Sequence, residues 1–370
     1  MILSSKSSVV ASVIIVALVF SAVGGYIFLT HQYDPSDIAV VMLEPGLGDH
    51  SMIDQVYEGL QELAGDVTVH YEYRTATDAN DAQDIMEQLA AEGTYDLIIV
   101  IGQELTQKVQ AVASTHPNQK FAFIGGSVIA DNVISAVFAQ HEAAFLAGVL
   151  AGFVATQNST STGIVGILGS VETDPTVISL VAGFTQGLEY ANTTYNLNVT
   201  LLPAQYVGSY NDSATAATLA YDLYKPDGGN ASIIFAPVRA SILGVRQAME
   251  LANSTHYWNI TGREPFAIAA EGNQDYLGNP DINIRSGDRS WVVTSVVPRS
   301  DLAVYTAINM TLWDRFEGGV LPTYNLANGG VNITNFEFSE EIVTPDIRAV
   351  LHDIRLDIIA GLIVVDDGLP

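Results

Sequence analysis

The chain of 370 residues contains no cysteine and few basic residues. Without cysteine it can form neither a disulfide nor a lipid-modified cysteine. Its seven histidines are scattered without a paired spacing, which argues against a structural zinc site. Only 14 basic residues stand against 41 acidic ones, and the formal charge of −27 argues against nucleic acid or an anionic lipid surface as a partner. We therefore expect no metal, no cofactor and no nucleic-acid partner.

Sequence motifs of the common enzyme classes are also missing. The chain has no Gly-x-Gly-x-x-Gly dinucleotide fingerprint, no Walker loop and no nucleophile elbow. Asp49 and Asp54 would do acid–base chemistry only if their pKa values were driven apart, and the sequence does not indicate that. The sequence therefore predicts a binding protein and not an enzyme.

Apolar residues make up 48% of the chain, which is typical of a globular protein with a large core. An acidic surface suits high salt, acid conditions or an extracellular face, and composition does not choose among them. Near the N-terminus, Val9 to Leu29 form an uncharged run that is long enough to span a bilayer. This run lacks a clear cleavage site, so it predicts a membrane anchor within residues 1–36, with the rest of the chain extracellular. A cleaved signal peptide is the alternative.

Repeated Asn-x-Ser/Thr sequons favour an exported and glycosylated surface. They begin at Asn158, Asn192, Asn198, Asn211, Asn230, Asn253, Asn259, Asn309 and Asn332.

The stretch from Ile38 to Leu60 organises the fold prediction. An apolar run ends at a Pro-Gly-x-Gly turn, as a buried parallel strand would, and apolar residues at helical spacing follow. Ligands of open α/β sheets gather at the carboxyl ends of such strands. The first candidates for a binding site are Glu44, Asp49, His50, Ser51 and Asp54. Capping of the following helix is the alternative role of Asp49.

Strands and helices alternate along the rest of the chain. After the first strand and helix, the pattern predicts strands at 67–73, 95–101 and 120–124, with helices at 81–92 and 106–115 between them. A second cycle begins after a short strand at 134–138, and it includes a predicted strand at 198–205. Repeated β-α-β units imply right-handed crossovers and parallel sheets. We therefore predict an α/β protein with two doubly wound lobes.

Six short motifs in one order resemble the basic membrane protein (BMP, or PnrA-like) family of substrate-binding proteins for ABC transporters. They read GLGDHSMID, FAQHEAAFLAGVLAG, PTVISLVAGFTQGLEYA, ASIIFAPVRA, IAAEGNQDYLG and VVTSVVPRSDLAVYTAI. The likeness covers about residues 37–370. It implies a type I periplasmic-binding-protein fold of two Rossmann-like lobes joined by crossover strands, a nucleoside ligand in the cleft, a membrane permease as partner and a monomeric state. The expected division is 37–138 plus about 272–318 for one lobe, and 139–271 plus about 319–370 for the other.

The resemblance also implies roles for individual residues. Asp49 matches an acidic residue that contacts the ligand's base, and Asp54 follows where many members have an acid. Phe138 falls at an aromatic position expected to stack on the base, with Phe184 as a possible opposing ring. Ordinary core packing is the alternative for both rings. Glu271 falls where the family usually has an Asp that holds the ribose hydroxyls.

The sequence departs from the family pattern at several of these positions. Met52 and Ile53 stand where members commonly have Phe and Asn, which removes one polar contact to the base. Pro298 replaces a Lys that often reaches the sugar, although Arg299 is adjacent. Arg239 lies in a loop that is typically rich in glycine. We expect it to pair with Glu271, and recognition of a carboxylate or phosphate on a different ligand is the alternative.

Gln274 follows Glu271 at the expected hinge, where it is either a ligand contact or a partner for crossover backbone groups. Taken together, the sequence predicts an N-terminally anchored solute receptor of an ABC importer that binds a nucleoside, a purine in particular. The alternatives are a ligand-sensing ectodomain and a receptor for another small polar ligand, such as a sugar or an anionic solute.

Overall fold

The computed structural model describes residues 36–64, 69–257, 263–279 and 289–369. The predicted anchor at Val9 to Leu29 and the sequon at Asn259 lie outside these ranges. None of the helices within the ranges combines the length and the apolarity that a bilayer crossing needs.

The first part of the chain alternates strands and helices as the sequence predicts. The elements are β1 (Ser36–Leu43), α1 (Met52–Ala64), β2 (Val69–Ala76), α2 (Ala79–Glu92), β3 (Leu97–Ile101), α3 (Thr106–Thr115), β4 (Phe121–Ile124) and β5 (Val133–Phe138).

The second part repeats the alternation and ends in a helix. Its elements are α4 (Gln140–Thr156), β6 (Ile164–Gly169), α5 (Pro175–Tyr195), β7 (Thr200–Leu201), β8 (Gln205–Tyr206), α6 (Ser213–Tyr224), β9 (Ile233–Ala236), α7 (Ile242–Ala252), β10 (Phe266–Ala270), β11 (Val292–Pro298), α8 (Ser300–Leu312), β12 (Thr323–Tyr324), β13 (Val331–Ile333) and α9 (Pro345–Ile359).

The strands form two sheets, one in each lobe. Lobe 1 holds a six-stranded sheet in the order β12-β5-β4-β3-β1-β2. Lobe 2 holds a seven-stranded sheet in the order β13-β11-β10-β9-β6-β7, with β8 also paired with β6. All pairings in the first sheet are parallel, and in the second only β13 is antiparallel to its neighbour. The prediction of an α/β fold with two parallel-sheet lobes is confirmed.

β1 lies inside its sheet because its side chains are apolar on both faces. Val40 is fully buried and stands opposite Tyr73 of β2 and Ile99 of β3. β1 lies between β2 and β3, where the strand order of the sheet reverses, and ligands of open α/β sheets bind at the carboxyl ends of strands at such a point. The loop that begins at Glu44 therefore stands at the switch point of lobe 1.

The chain crosses between the lobes three times, and this changes the predicted lobe boundaries. It crosses from β5 to α4, from β11 to α8, and from β12 to β13. The sequence assigns residues 272–318 to lobe 1, but β11 pairs with β10 in the sheet of lobe 2. Only α8, which packs its apolar side on the core of lobe 1, and β12 return to that lobe. The structure thus places 272–298 with lobe 2 and β12, expected in lobe 2, with lobe 1. A strand's sheet is fixed by its pairing partner, and periodicity does not reveal that partner.

The predicted strand at 198–205 is two short strands, β7 and β8, which both pair with β6. Pro203 lies between them and has no N–H to donate to the ladder. This proline accounts for the interruption.

α4 and α5 pack closely at glycines, and this contact decides the position of Phe184. A Cβ at Gly187 of α5 would lie 1.9 Å from the carbonyl oxygen of Phe145 in α4, so only glycine allows this approach. Phe184, one turn earlier, stacks on Phe235 of β9 with ring centroids 4.4 Å apart. Phe184 is fully buried in the core of lobe 2, which favours core packing, the alternative role of this ring.

Candidate functional site

Two carboxylates shape the loop between β1 and α1. Asp49 is buried and accepts hydrogen bonds from the N–H of Ser51 at 2.8 Å, from the Ser51 hydroxyl, and from the N–H of Asp54 at 3.2 Å. Asp54 in turn accepts from the N–H groups of Gly48 at 2.7 Å and His50 at 3.0 Å. Asp49 therefore does cap the start of α1, and the loop is held by its own acidic side chains.

Asp49 also lines the hollow between the lobes. Burial raises the pKa of Asp49 above its usual value, and the hydrogen bonds from Ser51 oppose that change. A carboxylate in such a place gains from any additional hydrogen-bond donor that a ligand brings.

Arg239 faces this loop from lobe 2. It opens a short 3₁₀ turn, Arg239–Ser241, at the carboxyl end of β9. Its Nε donates to Oε2 of Glu271 at 2.7 Å, and its Nη1 donates to Oε1 of Glu104 at 3.1 Å. Glu104 belongs to lobe 1, where the 3₁₀ turn Gln103–Leu105 follows β3. Arg239 thus pairs with Glu271, as expected, and also connects the two lobes.

Glu271 follows β10 directly and is completely buried. Burial raises the pKa of Glu271 to about 7, although the nearby guanidinium of Arg239 lowers it. Its second oxygen, Oε1, is buried and has no hydrogen-bond partner among the described residues. The buried carboxylate therefore keeps an unused acceptor.

A second polar contact joins the lobes beside Arg239. The side-chain amide of Gln103 donates to Asp174 at 2.5 Å, and the Tyr210 hydroxyl donates to the other oxygen of Asp174. Asp174 also caps α5 by accepting from the N–H of Thr176 at 2.7 Å. Burial, followed by the charge of Asp174, raises the pKa of Tyr210, so this phenol stays protonated as the donor.

These contacts leave little space at the centre of the cleft. The hollow beside Asp49 and Arg239 has a volume of about 60 Å³, and its apolar wall includes Met52, Ile53 and Ile101. Small-molecule sites usually measure roughly 300–1,000 Å³. The central hollow, as it stands in this structure, is therefore smaller than an ordinary small-molecule site.

Two larger hollows flank the central one. The first, about 260 Å³, is lined by Asp54, Asn273 and Tyr276 among others. At its edge, His50 of lobe 1 and the Tyr276 hydroxyl of lobe 2 lie 2.7 Å apart. The second, about 230 Å³, is lined by Phe138 and by residues at the start of α5. Within the described ranges, no group of three or more acidic or histidine side chains is placed to hold a metal ion.

The structure thus divides the predicted site residues among several places. Asp49 and Arg239 line the central hollow, and Glu271 lies directly behind Arg239. Phe138 is half-buried at the second flanking hollow, where it packs on Tyr324 with centroids 5.1 Å apart. Its role in base stacking stays a prediction.

Gln274 and Arg299 lie outside all three hollows. Gln274 is buried within lobe 2, where its N–H donates to the Ser295 hydroxyl and its side-chain amide to the carbonyl of Arg239 at 3.4 Å. Its position is therefore that of a support for Arg239, and it does not lie at a crossover. The Arg299 side chain is 46% exposed and pairs with Asp301 at the start of α8, and its role as a ligand contact stays a prediction.

Sequence reasoning missed Gln103, Glu104, Asp174 and Tyr210. Gln103 and Glu104 follow β3 immediately, so the rule that selected the loop after β1 also applies to them. Asp174 precedes Pro175 at a helix start, which is a recognisable cap. Tyr210 lies in an irregular loop, and no sequence signal marks it.

Comparison with known proteins agrees with the fold. Residues 37–364 match the family described as ABC transporter substrate-binding protein, PnrA-like. An uncharacterized lipoprotein of Pyrococcus furiosus is 28% identical over 89% of this chain and 76% of its own length. The ABC transporter nucleoside-binding protein BmpA of Lactococcus lactis is 27% identical over 88% of each chain.

A solved structure extends the comparison to the fold. The solute-binding protein of an Aeropyrum pernix ABC transporter system superposes with a TM-score of 0.77 at 22% identity, over 89% of this chain and 93% of that one. The family match over most of the sequence confirms the resemblance seen in the six motifs. The chain belongs to the PnrA-like family of ABC transporter substrate-binding proteins.

Proposed function

We propose that this protein is the extracellular solute receptor of an ABC importer and that it binds a nucleoside, a purine nucleoside in particular, between its lobes. One observation carries the proposal: Asp49 of lobe 1 lines the central hollow at the carboxyl end of β1, and the buried Glu271 of lobe 2 follows β10 directly behind Arg239, which lines the same hollow. The name of the Lactococcus lactis relative supports the ligand class.

The chemistry of these groups suits a nucleoside. Glu271 keeps Oε1 free as an acceptor, and a carboxylate matches the two hydroxyl donors of a ribose. Asp49 accepts from N–H donors on a base in the same way. Met52, Ile53 and Ile101 supply an apolar wall against which a flat base can pack.

Binding requires the lobes to separate, since the central hollow of about 60 Å³ is too small for such a ligand. Hinge opening at the three crossovers exposes Asp49 and the pair of Arg239 with Glu271, and closure buries the ligand between the lobes. The closed form is then the form that a permease recognises.

Charge disfavours an anionic solute as the ligand. Arg239 already pairs with Glu104 and Glu271, and Asp174 lies nearby as a further carboxylate. An added phosphate or carboxylate would face this excess of negative charge. Among the described residues, we find no feature that favours a sugar as the ligand over a nucleoside, or a sensor over a solute receptor.

Export and attachment belong to the same proposal. The run from Val9 to Leu29 anchors the chain in the membrane, and the sequons lie on the extracellular part. Asn158, Asn198 and Asn211 are exposed and are the positions best suited to carry glycan.

Thermal unfolding of the purified full-length protein with added ligands tests the proposal. A ligand that binds the folded state raises the melting temperature in proportion to its occupancy. We expect inosine, guanosine or adenosine to raise it, and ribose, free bases and amino acids to leave it unchanged. A rise with ribose alone or with an anionic solute, and none with nucleosides, would overturn the nucleoside assignment.

A further inference from the structure

Arg239 occupies the cleft in the manner of a bound cation. Its guanidinium lies over the ring of Tyr210 with 4.2 Å between its central carbon and the ring centroid. Glu271 and Glu104 accept from its nitrogens at 2.7 and 3.1 Å. An aromatic face combined with carboxylates is how proteins commonly bind guanidinium and ammonium groups. Here the chain itself supplies the cation.

The backbone of Arg239 also indicates a special position. Its φ of +47° lies in the left-handed region that non-glycine residues rarely adopt. Such conformations persist where the surrounding contacts determine them and are common at functional sites.

The contacts of Arg239 differ in whether they cross the cleft. Glu271 and Tyr210 belong to lobe 2, the lobe of Arg239 itself, whereas Glu104 belongs to lobe 1. Separating the lobes therefore breaks the pair of Arg239 with Glu104 and keeps the pair with Glu271. We call the contact between Arg239 and Glu104 the interlobe bridge.

We propose that Arg239 is a specificity-determining residue that occupies the cleft before the ligand arrives, and that the interlobe bridge holds the ligand-free lobes closed. The identity of the displacing ligand rests on the proposed function, whereas the interlobe bridge rests only on the contacts of Arg239. The ligand must displace Arg239 from Glu104 and supply hydrogen-bond donors in its place. The site therefore selects neutral, donor-bearing ligands and rejects their phosphate esters, since a phosphate would leave Glu104 unpaired beside added negative charge.

The bridge can be tested without any ligand. Because the chain has no cysteine, Gln110→Cys on α3 and Thr218→Cys on α6, both at exposed positions, place one spin label on each lobe. Pulsed electron paramagnetic resonance on the full-length protein then measures the distance between the lobes. We expect one short distance in the labelled wild type, a longer and broader distribution in Glu104→Ala, and an intermediate one in Glu104→Gln.

Glu264→Gln is the matched control. It removes the same kind of ion pair, with Arg289, but within lobe 2. Its distances should equal those of the wild type. Equal interlobe distances in Glu104→Ala and the wild type would overturn the proposal that the interlobe bridge holds the lobes closed. A long interlobe distance in the ligand-free wild type would also overturn it.

Arg239→Gly tests the specificity. Glycine suits the left-handed backbone, removes the side chain from the cleft and should raise the affinity for inosine at least tenfold. Inosine 5′-monophosphate should begin to bind only in Glu104→Gln, which removes the carboxylate charge that rejects the phosphate. Unchanged affinity for inosine in Arg239→Gly and continued rejection of the monophosphate in Glu104→Gln would overturn this role. If no variant binds a nucleoside, the proposed function fails, and the distances measured without ligand still decide the bridge.

Discussion

Glu271 and Arg239 form an ion pair at 2.7 Å in which the carboxylate is completely buried. Both residues have a positive φ, at +67° and +47°, which non-glycine residues rarely adopt. The pair stands at the carboxyl ends of β10 and β9, where the two lobes meet.

Removing Arg239 alone should destabilise the protein more than removing Arg239 together with the charge of Glu271. Arg239→Met leaves the Glu271 carboxylate buried without a counter-ion, which usually costs about 3–5 kcal/mol. Adding Glu271→Gln should recover most of that loss. Urea unfolding of the wild type, both single variants and the double variant measures the coupling.

Arg299→Met is the control for this double-mutant comparison. The pair of Arg299 with Asp301 is exposed, so we expect it to contribute less than about 1 kcal/mol to the free energy of unfolding. Equal losses in Arg239→Met and Arg299→Met would contradict the assignment of a buried, coupled pair.

The stability of the protein should depend on pH through two buried carboxyl groups. Burial raises the pKa of Glu271 from 4.5 to about 7 and that of Asp275 from 3.8 to about 6. Between each pair of values the folded protein holds a proton that the unfolded chain has released, so the free energy of unfolding falls as pH rises.

The stability of Glu271→Gln relative to the wild type should therefore increase as the pH rises from 4.5 to about 7. That of Asp275→Asn should increase as the pH rises from 3.8 to about 6. Urea unfolding at a series of pH values checks both. A difference between variant and wild type that does not change with pH would show that the carboxyl group titrates normally.

The contact between α4 and α5 should tolerate a methyl group at one glycine and not at another. A Cβ at Gly187 would lie 1.9 Å from a backbone oxygen, whereas a Cβ at Gly152 would meet only side-chain atoms at 3.2 Å or more. We expect Gly187→Ala to lower the free energy of unfolding by about 1–3 kcal/mol. Gly152→Ala should change stability by less than about 1 kcal/mol, because alanine also favours the helix. Calorimetric unfolding measures both, and equal effects would argue against the close packing.

Alanine substitution of two phenylalanines should affect different properties, the stability of the fold in one case and nucleoside binding in the other. Phe184→Ala removes a ring from the core of lobe 2 and should cost about 3–5 kcal/mol. Phe138 is half-buried at a hollow between the lobes, and Phe138→Ala should weaken nucleoside binding and leave the protein folded. Unfolding and binding measurements on both variants check this division. Unchanged nucleoside affinity in Phe138→Ala would remove Phe138 from the site.

Local sequence patterns predicted most of the fold because its strands and helices are strongly periodic. The run that ends at Leu43 and the Pro-Gly-x-Gly turn after it gave β1 and its loop correctly. The sheet of β11 escaped prediction because strand pairing is a contact between distant parts of the chain. Helical periodicity could not tell whether Phe184 faces a core or a cleft, since both positions are apolar.

The candidate site was predictable only in part. The pairing of Arg239 with Glu271 followed from charge and position, and the structure agrees. The contact with Glu104 depends on how two lobes approach each other, which no local pattern records. Sequence reasoning therefore found the carboxylates of single loops more readily than the contacts across the cleft.

Calorimetric titration of inosine into the full-length wild type and into Glu271→Ala tests the account most directly. We predict saturable, one-to-one binding to the wild type that weakens at least tenfold in Glu271→Ala while the variant stays folded. Absence of binding heat with every purine nucleoside, or equal affinity in both proteins, would contradict a nucleoside site between the lobes.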